Sequence, residues 1–450
     1  MQMNPNSIND RDESTDESEV DSNDVAFIIM STLYYRKPGY KIPIKVFEMR
    51  NHLVTPINLL TTAIICLTFF VFTSSISSAQ DQSSSVNWGD HVGKALEQSG
   101  ENRSELEKAL AEIEKSQKPA MQFLIANMPK KDLESLTAKF LLEHVRLAYE
   151  AREKTPWGKS IPEELFFNDV VAYANVNEKR EAWRSEMFAK AWPIVKECKT
   201  PAEAAQKLNE QLFGLVKVRY STKRKRPDQA PSESIEQGVA SCTGLSILLS
   251  DACRSVCVPA RLAGTPMWTN KRGNHTWVEI WDGKWHFTGA CEPSKQGLNH
   301  GWFVNDASQA KKDSRIHAIY ATSFQKTDSY FPLAWNRRDR TVPAVNVTER
   351  YNALAKPKKS GHRLMVRVVG NDGTTRVKTF VKVSLSGTDK SFSGSSKDES
   401  ADTNDFLTFD AELRKEYLIE VFDAPEGKLL ASQKVKTGTE KQSITTLKLK

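Results

Sequence analysis

The sequence predicts an α+β chain in three parts: a helical region, a mixed core, and a small β-sandwich. Three observations carry that prediction. Apolar residues recur at helical spacing through the first half of the chain. A helix opening on Cys242 is followed by a strong antiparallel hairpin. Short β-rich runs, separated by Gly-, Asp- and Ser-rich turns, fill the last stretch of about 90 residues.

With 450 residues and a hydrophobic fraction of 39%, the chain has enough apolar material for two or three domain cores. The net charge of +7 arises from 63 basic and 56 acidic residues spread along the chain. Such a balance favours solubility but is not a nucleic-acid footprint. The one basic run, Lys223-Arg224-Lys225-Arg226, precedes Pro227 in what reads as a solvated loop, so no nucleic-acid partner is expected.

Residues 1–79 read as a tail and a targeting segment. The first 25 or so are polar and acid-rich and carry no periodicity. Ile57 to Phe72 is an apolar run diluted by Asn58, Thr61, Thr62 and Thr68. Arg50 lies ahead of it, and Ser77-Ser78-Ala79-Gln80 follows. A basic flank, an apolar centre and a small-x-small end form the pattern of a cleavable secretory signal. Met49 is well placed to initiate it, which makes residues 1–48 a matter of start-site choice. The rival reading is an uncleaved anchor with a cytoplasmic tail, the one membrane association the sequence offers. Either way the remainder is expected outside the cytoplasm: periplasmic, at the cell surface or secreted.

Residues 80–199 form the expected helical region. Leu106, Leu110 and Ile113 recur at helical spacing, as do Leu133, Leu136, Phe140, Leu141 and Val145, and Pro119, Pro129, Pro156, Pro162 and Pro193 punctuate the segments. The core is expected over 200–355. Its loop at 221–235 leads to Ser241-Cys242-Thr243-Gly244, which opens a helix with Leu245, Leu248, Leu249, Ala252 and Val256 on one face; that helix should stop before Pro259. A strand follows at Arg261–Gly264. Then Thr276, Val278 and Ile280 alternate with Trp277, Glu279 and Trp281, and Asp282-Gly283 supplies a two-residue turn into Lys284–Thr288. Residues 356–450 hold the sandwich, with strands at Leu364–Val369, Phe380–Leu385, Phe406–Phe409, Tyr417–Phe422 and Ile444–Leu449.

Six cysteines are present, and Cys66 falls inside the signal-like run. The remaining five are an odd number, so in an exported protein at least one thiol is free or paired between chains. Cys253 and Cys257 fit ordinary burial beside the apolar helix. Cys242 differs because it opens a helix, where unpaired N–H groups and the helix dipole favour a thiolate and can serve an oxyanion. His275 is its candidate base, with Trp268, Trp277, Trp281 and Trp285 expected as walls that exclude water. Hairpin register with a two-residue turn sets His275 opposite Ala290 and places Glu292 diagonally, as the candidate that orients the imidazole. A bulge near Gly289 would change that register. Trp268, Asn274 and Trp277 are the candidate substrate-binding residues. A metal site from Cys253, Cys257, His275 and Cys291 is disfavoured by the Cys-x₃-Cys spacing and the lack of a second pair, and no metal or cofactor is expected.

These residues carry a resemblance. Ser241-Cys242-Thr243-Gly244, Cys253-Arg254, Val258-Pro259-Ala260-Arg261, Asn274-His275-Thr276-Trp277-Val278-Glu279, the Trp285 strand and Glu292-Pro293 together resemble the transglutaminase-like superfamily over roughly 200–350. Ile161-Pro162-Glu163-Glu164-Leu165-Phe166 resembles a segment of bacterial members and extends the likeness back to about 130. The resemblance implies a papain-like core with a Cys-His-Asp triad and acyl transfer through a thioester. It leaves the acceptor open, since members include cross-linkers, peptidases, amidases and inactive scaffolds. The family's Asp, four residues after the strand Trp, falls on Gly289 here, and Glu292-Pro293 is similar to a displaced Asp-Pro. The expected activity is hydrolysis of a peptide or protein amide, in preference to cross-linking. The alternative is a non-catalytic exported binding protein built on the same core and sandwich.

Overall fold

In the computed structural model, which describes residues 88–355 and 361–449, the helical layer starts at α1 (Gly89–Gln98) and continues through α2 (Arg103–Glu112) and α3 (Lys118–Asn127). The signal-like run lies outside the described residues. The chain divides at Ser84/Ser85, and every element below belongs to the second unit. Among the described residues no helix is long and apolar enough to cross a membrane.

Helix α3 is buried almost all round, from Ala120 to Asn127, because it runs through the middle of the helical layer. α4 (Ala138–Lys154) begins one residue after Thr137, whose hydroxyl accepts the Phe140 amide as an N-cap. Leu133 and Leu136 therefore precede this helix, although their spacing reads as continuous with it. α5 (Trp183–Val195) contains Pro193 two residues from its end, so this proline sits inside a helix and does not divide two segments. α6 (Pro201–Val216) is capped by Thr200, and Pro201 occupies the first turn, where a missing N–H costs nothing.

Two buried arginines tie the helical layer to the core. Arg254 donates to the carbonyls of Ala260 (2.9 Å) and Ala174 (2.8 Å), and Arg184 donates to those of Arg254 (2.9 Å) and Val170 (2.6 Å). They satisfy buried backbone acceptors at Val170, Ala174, Arg254 and Ala260, which would otherwise lack partners.

After α6, β1 (Arg219–Tyr220) pairs in parallel with β2 (Val239–Ala240), with α7 (Pro231–Gln237) between them. Then comes α8 (Cys242–Ser255). Every residue from Thr243 to Ser255 is buried, since helices cover one side and a sheet the other. The sheet has five antiparallel strands in the order β5-β4-β3-β6-β7: β3 (Ala260–Thr265), β4 (His275–Trp281), β5 (Trp285–Thr288), β6 (Tyr320–Thr322) and β7 (Ala344–Asn346). Val278 and Ile280 on one face of β4 join the cluster of Leu245, Leu248 and Leu249 from α8. Trp277 on the other face packs with Phe287, Phe303 and Tyr351.

The hairpin register departs from the sequence expectation by one residue. Trp281 pairs with Trp285 and Val278 with Thr288, so the loop is Asp282-Gly283-Lys284. Gly283 takes a φ of 67° and the Asp282 amide donates to the Lys284 carbonyl at 2.9 Å, which is the geometry of a three-residue hairpin loop.

The sandwich pairs two sheets, β10-β9-β12-β13 and β11-β8-β14. Its strands are β8 (His362–Val369), β9 (Phe380–Leu385), β10 (Ser391–Ser395), β11 (Leu407–Ala411), β12 (Glu416–Phe422), β13 (Leu429–Lys436) and β14 (Gln442–Lys448). β14 joins β8 in parallel; the other pairings are antiparallel. Alternating residues such as Leu364, Val366, Val368, Val381, Val383, Ile419 and Val421 fill the space between the sheets. β10 and β13 were not among the sequence-predicted strands. Both are edge strands without a single buried residue, so neither shows the buried–exposed alternation that the sequence pattern reads.

Candidate active site

Cys242 is the first residue of α8. Ser241 is its N-cap, and the hydroxyl accepts from the amides of Thr243 (3.0 Å) and Gly244 (3.1 Å). Those two donors are thereby used, which leaves the Cys242 amide as the first-turn N–H for an oxyanion. The thiol itself is half-buried.

His275 opens β4 and is 2% exposed. One of its ring nitrogens, Cys242 Sγ and one oxygen of Asp402 lie within 4.8 Å of one another. Asp402 Oδ2 is 3.5 Å from Nδ1, and Glu292 Oε2 is 3.9 Å from Nε2. Neither ring nitrogen has a well-aligned hydrogen bond at these distances. The imidazole thus stands between two carboxylates.

Glu292 does not arrive there by strand register. β5 ends at Thr288, the chain turns with the Glu292 amide donating to the Gly289 carbonyl (3.2 Å), and Cys291 adopts a φ of 64°. Trp302 Nε1 donates to Glu292 Oε2 at 2.9 Å and fixes the carboxylate. Gly289 makes this possible: a Cβ there would stand 2.5 Å from Glu292 Oε2. The position where the family pattern has an Asp is the space the Glu292 carboxylate uses.

Burial opposes charge on His275, but Asp402 and Cys242 outweigh it and hold the imidazole well above the ordinary histidine range. Burial raises Asp402, yet the neighbouring His275 and the hydrogen bonds from Asn404 leave it below the usual carboxylate range. Burial pushes Glu292 up to about 7, with His275 lowering it and Asp402 raising it. Burial also pushes Cys253, Cys257 and Cys291 up to about 12. All five cysteines among the described residues are free thiols.

The aromatic surroundings differ from those read in the sequence. Trp302 and Phe303 are the nearest rings to His275, with centroids at 4.7 and 5.0 Å. Trp277 (5.8 Å) and Trp268 (6.3 Å) lie behind it. Trp268 and Trp277 are buried, and Trp277 Nε1 donates to Tyr351 Oη, so they back the imidazole and present no surface to a substrate. Trp281 instead packs against the helical cluster, and Trp285 lies under the Arg261 guanidinium at 3.7 Å. The main-chain carbonyl of Asn274 accepts from Asn404 of the sandwich (3.2 Å). Cys253, Cys257, His275 and Cys291 are not brought together; among the described residues the group able to hold a metal is Cys242, His275 and Asp402.

Residues 189–307 match the sequence profile of the Transglutaminase-like superfamily. This segment is transglutaminase-like. A candidate cysteine protease from Cytophaga hutchinsonii is similar at 16% identity and a TM-score of 0.22, over 36% of this chain and 52% of that one. Red sea bream transglutaminase is similar at 10% identity and a TM-score of 0.27, over 63% of this chain and 66% of that one. The chain therefore spans between half and two thirds of the length of these structures. No curated protein matches it. The transglutaminase-like segment contains Cys242, His275 and Glu292. Asp402 lies outside it, in the loop between β10 and β11, where no motif of the core points.

Proposed function

We propose that this protein is an exported thiol enzyme that hydrolyses amide or peptide bonds through a thioester. The observation that carries this reading is Cys242 Sγ at the start of an N-capped helix, within 4.8 Å of a buried imidazole. The Cys242 thiolate attacks the carbonyl carbon, and the oxyanion is met by the Cys242 amide. His275, protonated, gives its proton to the departing amine, whose C–N bond breaks as the thioester forms. His275 then takes a proton from water, which attacks the thioester and releases the acid and the Cys242 thiolate, restoring the thiolate–imidazolium pair. Water is favoured over an amine acceptor because nothing in the sequence marks a lysine-acceptor site. Export rests on the signal-like run at 57–80.

A second reading, a non-catalytic binding protein, is favoured by one feature: the sandwich loop lies over His275 and leaves it 2% exposed. Iodoacetamide labelling of the full chain from pH 4 to 9, with mass-spectrometric assignment of sites, separates the two. For an enzyme, Cys242 is alkylated well below pH 8, ahead of the other five thiols of the full chain, and loses that advantage in His275→Ala. Slow labelling of all six thiols, indifferent to His275, leaves the binding protein as the better reading.

A further inference from the structure

The carboxylate nearest His275 comes from the β-sandwich, and the whole loop that bears it is built to hold it there. Inside the sandwich, the buried Arg376 donates to the Asp402 carbonyl at 3.0 Å and also to that of Ala401. Asp402 Oδ1 accepts from the Asn404 amide (2.8 Å) and side chain (3.2 Å), a local turn that aims the other oxygen outward. Toward the core, the Thr403 amide donates to Tyr220 Oη (3.3 Å), and Asn404 Nδ2 donates to the Asn274 carbonyl (3.2 Å). Arg272 Nη1 donates to the Asn404 carbonyl (3.0 Å), and the same guanidinium ion-pairs with Asp306. Arg272 and Asn274 belong to the loop that leads into His275, so the sandwich grips the segment that presents the imidazole.

We propose that Asp402 is a positioning residue of the active site, supplied by the β-sandwich: its carboxylate holds His275 through Nδ1 and keeps the imidazolium beside Cys242. This rests on the thiol-enzyme reading above. Asp402 and Glu292 are not equivalent. Asp402 lies within 4.8 Å of Cys242 Sγ as well as of the ring, whereas Glu292 meets the other nitrogen. The groups facing or flanking His275 are Cys242 from α8, Tyr220 from β1, Glu292 with Asp405 behind it, and Asp402; aromatic rings fill the rest. Glu292, pushed up to about 7, carries only part of a charge at neutral pH, while Asp402 is ionised. Asp402 is therefore the full negative charge that compensates a buried imidazolium. Asp402 Oδ2 stands 3.5 Å from Nδ1, close enough to attract the ring cation strongly.

The test is the rate of Cys242 alkylation by iodoacetamide against pH, in full-length wild type, Asp402→Asn and Asp402→Glu. The expected result for Asp402→Asn is a profile moved up by about one pH unit, which is roughly a tenfold loss of rate at pH 6. Asp402→Glu should recover part of that loss. A role confined to shaping the loop would change unfolding temperature and leave the profile in place. An unmoved profile, or faster labelling at pH 6, overturns the proposal; the latter outcome would make the loop a cover over the thiol. If wild-type Cys242 is itself no more reactive than the other thiols, the enzyme reading falls and this one with it. If wild type is reactive and Asp402→Asn matches it, only the role of Asp402 falls. Should Asp402→Asn fail to fold, an NMR titration of His275 in wild type decides: a midpoint above the ordinary 6.5 supports the proposal, and one at or below it overturns it.

Discussion

At the scale of single residues, the site is a problem of keeping charge in a buried place. His275 has its folded pKa raised above 6.5, so the stability it lends is complete below 6.5 and is lost as pH climbs through the raised value. Asp402 has its pKa lowered below 3.8, so its contribution is present above 3.8 and is lost as pH falls through the lower value. The pair therefore lends its full stability between about pH 4 and 6.5. The unfolding temperature of wild type minus that of Asp402→Asn should be largest in that window and shrink on both sides; a pH-independent difference would contradict the ion pair. Glu292 adds the opposite demand. Burial raises it to about 7, so ionising it costs stability as pH rises from 4.5, and Glu292→Gln should flatten the decline toward pH 7 in the same measurement. Gly289 is the third residue on which the site depends. Gly289→Ala sets a Cβ 2.5 Å from Glu292 Oε2, and should break the contact with Trp302 and quench or shift Trp302 fluorescence while the fold persists.

At the scale of elements, α8 does two jobs with one sequence. Its first turn presents the thiol, and its body packs on both sides, so Leu248 and Leu249 are wholly buried. Leu248→Ala should destabilise the protein by about 2–5 kcal/mol in chemical denaturation, as a buried leucine leaving a cavity does. Ser241→Ala should cost about 1 kcal/mol through loss of the cap. It should also slow Cys242 alkylation, because the freed helix end would no longer be held in register with the thiol. The β4–β5 hairpin shows why element type is easier to read than its register. The alternation of Thr276, Val278 and Ile280 with Trp277 and Glu279 sorts the residues between two buried faces, one toward α8 and one toward the Trp277 cluster. The choice between a two- and a three-residue loop turned on whether Lys284 joins the strand, and no side-chain pattern marks that choice.

At the scale of the whole molecule, the sandwich and the transglutaminase-like core share one site. Arg272 is the main fastening between them, reaching Asn404, Asp306 and, at 3.4 Å, the Met365 sulfur. Arg272→Ala should leave both cores folded and free the 396–406 loop. Limited proteolysis should then cut that loop at least several-fold faster than in wild type, and Cys242 should label more slowly near pH 6, since Asp402 would no longer be held at the ring. Cleavage at the wild-type rate would show that the other contacts suffice to dock the loop.

The sequence by itself determined the helix that opens on Cys242, the strand that opens on His275, and the alternating strands of the sandwich core. Each of these is written in near neighbours: a cap, a periodicity, a turn residue. It also pointed to Glu292, although for a register that the hairpin does not adopt; the turn at Gly289 is what brings that carboxylate to Nε2. Only the tertiary structure decided which rings enclose the imidazole, that Trp268 and Trp277 lie too deep to meet a substrate, and that Thr243 and Gly244 spend their amides on the helix cap. Asp402 belongs to this second class. Its place beside His275 depends on how one face of the sandwich docks against the core, through Arg272, Asn274 and Tyr220, and contacts between residues so distant along the chain leave no spacing or period in the sequence to read.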